Sequence, residues 1–142
     1  MTVPQPYQPH PYQQPREGFV ITTQYFPLSW LFATVNPVLT VNGWLVRTGP
    51  WGRNVVPASP GEYLLHVHTP YFLPKQLGPA DYRAVLPPGQ WIELEYKAPL
   101  WSFSKGSLGP PPQSYKGVVP TVALIGGCLA LIALMMILSV AF

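Results

Sequence analysis

The residues with the clearest chemical potential in this chain come as two spaced pairs. His66 and His68 stand in Glu62-Tyr63-Leu64-Leu65-His66-Val67-His68-Thr69, and Glu93 and Glu95 stand in Trp91-Ile92-Glu93-Leu94-Glu95-Tyr96. If each segment is a strand, the alternation of side chains puts both members of a pair on one face. His-x-His is a spacing that metal sites use, and carboxylates from an adjacent strand would complete a set suited to zinc or copper. His66, His68, Glu93 and Glu95 form such a site only if their strands are neighbours. Otherwise each pair belongs to a solvated face, where cross-strand His–Glu pairing explains the same residues without a metal.

Other routes to catalysis are poorly supplied. Ser29, Ser59, Ser102 and Ser104 sit in no nucleophile-elbow context, and the single thiol, Cys128, lies in an apolar run. No glycine-rich phosphate loop is present. The expectation is a non-enzymatic protein with no cofactor. Its best candidates for contact with a protein partner are Arg47 and the Trp51 and Arg53 of Gly49-Pro50-Trp51-Gly52-Arg53, because Trp and Arg anchor interfaces. The alternative for Trp51 is that it folds back to cap the end of a small core. The net charge is +3 and the eight basic residues are scattered singly, which gives no stripe for nucleic acid.

The elements that would position these residues are strands. Charged residues make up only 9% of the chain against an average of about 25%. Its 20 prolines favour strands, turns and irregular chain over helical bundles. In Val38-Leu39-Thr40-Val41-Asn42-Gly43-Trp44-Leu45-Val46-Arg47, Asn-Gly supplies the two positive-φ positions of a type I′ hairpin. Val41 then faces Trp44 and Leu39 faces Val46 on the core side. Further strands are expected over 19–26, 28–35, 62–69 and 91–96, the last two each following a Pro-Gly turn, at Pro60-Gly61 and Pro88-Gly89. The reading is a mainly β chain, a small antiparallel sandwich or barrel over residues 18–99.

Two likenesses attach to these residues. The head, Pro4-Gln5-Pro6-Tyr7-Gln8-Pro9, looks like the Pro/Gln/Tyr-rich cytosolic tails of small actinobacterial membrane proteins. That likeness implies a bacterial inner-membrane address. The Asn-Gly hairpin followed by Pro60-Gly61-Glu62-Tyr63 resembles the PEGA-type β-sandwich modules of bacteria, over about residues 37–70, without their Gly-Tyr closing motif. The PEGA resemblance implies surface interaction rather than catalysis. Residues 1–17, alternating Pro with Gln and Tyr, are expected to be disordered, because they carry too little apolar surface to offset chain entropy.

From Val118 to Phe142 there is no charged residue, enough for a single transmembrane helix with Pro120 in its first turn and Tyr115 and Lys116 before it. A Pro/Gly/Ser-rich linker is expected over 100–117, with Trp101 and Phe103 either at the lipid headgroups or closing the last strand. Lys105 and Lys116 precede the helix, and the positive-inside rule puts the β domain in the cytoplasm. The chain therefore reads as tail-anchored, in contact with the bilayer. Ala123, Gly127 and Ala130 recur on one side of the helix and suit close packing, either on the helices of a larger membrane complex or in a homo-oligomer.

Overall fold

The computed structural model describes residues 16–46 and 50–142. The head through residue 15, and Arg47, lie outside the described residues. Among the described residues eight strands are formed: β1 (Gly18–Gln24), β2 (Val38–Val41), β3 (Trp44–Val46), β4 (Gly52–Pro57), β5 (Gly61–Pro70), β6 (Gln76–Leu86), β7 (Trp91–Lys97) and β8 (Ser107–Gly109). A 3-10 turn covers Trp30–Thr34 and the helix α1 covers Val118–Ala141.

The strands make two four-stranded sheets, in the orders β4-β1-β7-β8 and β3-β2-β5-β6, packed as a sandwich. All pairings are antiparallel except β1 with β7, which run parallel. Alternation dictates the core. Tyr63, Leu65, Val67 and Thr69 of β5 face inward with Leu39 and Val41 of β2, and meet Phe19 and Ile21 of β1 and Leu94 and Tyr96 of β7. Phe19 and Tyr63 join the sheets edge to face, with ring centroids 5.6 Å apart.

The hairpin has the expected register, Leu39 opposite Val46 and Val41 opposite Trp44, with Asn42 at φ 51 and Gly43 at φ 81 as a type I′ turn requires. Trp44 departs from expectation. It is 62% exposed, because it stands beside the turn on an edge strand that the facing sheet does not cover.

Residues 28–35 are a second correction, since they form the 3-10 turn and not a strand. Successive i→i+3 bonds run from Ser29 N–H to Phe26 C=O, from Phe32 N–H to Ser29 C=O and from Val35 N–H to Phe32 C=O. Only Phe32 of the turn is buried, so the apolar residues around it have no alternating face to present to a sheet.

The segment expected as a linker is also ordered. It carries β8, which pairs with β7 through Glu95–Gly109, Tyr96–Leu108 and Lys97–Ser107. The chain then returns along the domain: Ser107 Oγ donates to Ser114 C=O at 2.8 Å, and Tyr115 Oη donates to Tyr25 C=O at 3.1 Å. Leu100 N–H donates to Lys116 C=O at 2.9 Å. Gly117 lies so close to Trp101 that a Cβ there would stand 2.5 Å from the tryptophan Cβ. The chain is thus fastened to the sandwich up to the residue before α1.

One corner depends on a missing side chain. Between Val67–Ala80 and Thr69–Leu77 the β5–β6 register slips by a residue, placing a bulge at Gly78-Pro79. Gly78 has φ 61, its C=O accepts the Tyr96 hydroxyl at 2.8 Å, and a Cβ would lie 2.3 Å from Pro99 Cδ. Burial pushes the Tyr96 hydroxyl up to about 12, so it stays a donor. Gly78→Ala is expected to destabilise the domain by about 2–4 kcal/mol, from overpacking and the left-handed backbone together. Chemical denaturation of the full chain in detergent, followed by tryptophan fluorescence, measures it.

Candidate functional site

The odd residues of β5 fill the core, so its even residues Glu62, Leu64, His66 and His68 face outward. His66 lies opposite Thr40 of β2 and Asp81 of β6, and His68 lies opposite Val38 of β2. His66 Nδ1 is 2.7 Å from Asp81 Oδ1, and His66 Nε2 is 3.0 Å from His68 Nδ1. Three side chains therefore form one hydrogen-bonded line across two strands and along one of them.

The line restricts where protons can sit. The Asp81 carboxylate only accepts, so His66 Nδ1 carries a hydrogen and donates it. His66 Nε2 then either accepts from the Nδ1–H of a neutral His68 or, with His66 cationic, donates to it. Protonating both facing nitrogens sets donor against donor and breaks the bond. The side chain of His66 is 23% exposed and that of Asp81 is 65% exposed, so the line opens to solvent at the carboxylate. Burial, and then the neighbouring His66, lower the His68 pKa from its usual value.

Glu93 and Glu95 do not join this line. The two Pro-Gly turns lead into strands of different sheets, β5 and β7, so the histidines and glutamates never share a face. Glu93 is exposed opposite Val20, and Glu95 is 3.1 Å from Lys97 Nζ on its own strand. Among the described residues no group of three or more His, Cys, Asp and Glu is arranged to hold a metal ion. In the four-residue cluster read from the sequence, Asp81 takes the place given to the glutamates, as a hydrogen-bond partner.

Trp51 takes the capping alternative. Its indole N–H lies 2.8 Å from Phe32 C=O and 2.7 Å from Val35 C=O, donating to both. Its ring stacks on Phe32 and on Tyr96 and meets the Tyr25 ring edge-on at 5.0 Å. The indole N–H and both ring faces are thus engaged within the domain. Arg53 stands on β4 opposite Thr22, exposed. On α1, Ala123, Gly127 and Ala130 line one shallow groove with Leu124, Leu131 and Leu134, and the domain buries no residue of the helix.

The surface round the histidines carries the remaining signal. Leu45 is 71% exposed, Leu64 42% and Val85 67%, all on this sheet. They share its outer face with the Arg83–Glu62 pair, 3.5 Å apart, an exposed contact that adds little stability.

The His68 shift sets a pH dependence. The folded state favours neutral His68, so the unfolded chain binds more protons as pH falls. This contribution is fully present above the unfolded value of 6.5 and is lost as pH drops below it towards the lowered folded value. Thermal melts are expected to show falling stability on that acid side, and His68→Gln is expected to flatten that part of the curve.

Comparison with known proteins returns no match for this chain, whether to a family model, a curated protein or a solved structure.

Proposed function

We propose that this chain is a single-pass membrane protein whose β-sandwich is a non-enzymatic module, binding or assembling a protein partner at the bilayer surface. The observation that supports it most is the union of two features. Val118–Ala141 is long and apolar enough to cross a membrane, with mean hydropathy 2.6, and the sandwich is bound to its start without slack. At about 1.5 Å per residue, 24 residues give about 36 Å, against roughly 30 Å of hydrocarbon.

The partner-facing surface in this reading is the outer face of β3-β2-β5-β6. Its exposed Leu45, Leu64 and Val85 surround polar groups that can fix orientation, the composition expected of a small transient interface. The cytoplasmic placement of the domain rests on Lys105 and Lys116 beside the span. The bacterial inner-membrane address and the surface-interaction role implied by the two likenesses belong to this proposal as well. Ala123, Gly127 and Ala130 support a second reading, an accessory subunit held in a larger complex by its helix.

The two readings part on what holds the partner. Extraction in mild detergent with an N-terminal tag is expected to yield a stoichiometric partner that stays when α1 is replaced by an unrelated membrane helix. Leu64→Glu combined with Val85→Glu is expected to release it. Loss of the partner on helix replacement, with retention in the double variant, selects the subunit reading.

A further inference from the structure

The end of the sandwich from which α1 departs also carries a group of uncovered large apolar side chains. β1 finishes there and leads into the 26–35 segment, β5 and β6 are joined there by residues 71–75, and β7 and β8 by 98–106. Leu28 is 75% exposed, Trp30 67%, Leu31 53%, Phe72 93%, Leu73 64% and Phe103 70%. They come from three separate connections and from both sheets, yet share one end. Beneath them aromatic side chains pack on one another: Phe32 meets Trp51 and Tyr71, and Phe26 meets Tyr115 edge-on at 5.2 Å. The exposed side chains therefore project from a packed aromatic floor.

Charge is distributed to match. All four lysines of the chain, Lys75, Lys97, Lys105 and Lys116, belong to this end. Among the described residues, the carboxylate nearest this end, Glu95, is paired with Lys97. Glu17, bonded to Gly89 N–H at 2.7 Å, Glu62 and Glu93 lie towards the opposite end, and Asp81 is held by His66.

We infer that this end of the domain is a membrane-contact surface, with Leu28, Trp30, Leu31, Phe72, Leu73 and Phe103 seated among the lipid headgroups and upper acyl chains around the emerging helix. The inference rests on the reading of α1 as a membrane span. What selects lipid as the occupant is continuity. The chain is hydrogen-bonded to the domain at Lys116 and α1 begins at Val118, so a bilayer crossed by α1 starts within a residue or two of the sandwich. Exposed Trp, Phe and Leu beside Lys are the residue types that interfacial anchoring uses, and lysine favours an anionic surface.

Depth measurements in vesicles of phosphatidylcholine and phosphatidylglycerol test this on the full chain. A fluorophore on the native Cys128 reports the span. In a Cys128→Ala background, Trp30→Cys, Phe72→Cys and Phe103→Cys report the contact surface one at a time, and Val85→Cys reports the opposite end. The expected result is quenching of the three loop labels by headgroup and shallow acyl nitroxides, with shielding from iodide several-fold greater than at Val85. Loop labels as open to iodide as Val85, while Cys128 stays in lipid, overturn the contact surface and leave the span intact. Labels shielded from iodide but untouched by lipid nitroxides overturn it in favour of protein contact. A Cys128 label reached by iodide overturns the span, and the contact surface with it.

Discussion

Trp51 is the contact on which the arrangement of this molecule turns. Its indole N–H serves two carbonyls at the close of the 3-10 turn, and its ring lies between Phe32 and the buried Tyr96. A sandwich must be closed at its ends as well as filled between its sheets, and here a single aromatic does both. Because Phe32 and Val35 spend their carbonyls on Trp51, the segment between β1 and β2 is tied down as a compact turn. Tyr25, in the same cluster, accepts the Tyr115 hydroxyl through its own carbonyl and so fixes the chain leading to the helix. Burial raises the Tyr115 pKa, with Lys97 acting against it, and the Lys97 ammonium sits 4.8 Å from the Tyr115 ring centre. The path from core to helix is a series of such contacts.

Much of this was legible where local rules dominate. The Asn42-Gly43 hairpin, the strands after the two Pro-Gly turns and the apolar helix all carry short-range signals, and each is formed. The strands that were missed carry contrary signals. β4 contains Arg53 and Asn54, β6 carries Gly78-Pro79 just inside its start, a pair that marks a turn in most contexts, and β8 has only three residues. The 28–35 segment has strand-like composition, but its shape is decided by Trp51 from across the sandwich. Composition cannot show that.

The site divides the same way. That His66 and His68 share a face follows from their spacing alone. That Asp81 meets His66 does not, because it requires β6 to be recognised and paired with β5 in register. The separation of Glu93 and Glu95 from the histidines is a matter of strand order, set by the parallel pairing of β1 with β7, a contact between residues over seventy positions apart. Alternation within a strand is a local property, and the assignment of strands to sheets is a global one.

A domain fastened to its helix without slack has a fixed reach. β5 is ten residues long, which makes the sandwich about 33 Å tall, and His66 sits four residues, about 13 Å, from the helix-bearing end. With α1 in a bilayer, the short connection keeps the domain next to the membrane surface. Whatever meets the histidine face must enter a shallow layer next to the membrane. For a partner that is itself membrane-bound, the search reduces from a volume to a plane, and confinement supplies effective concentration that modest contacts then need not provide.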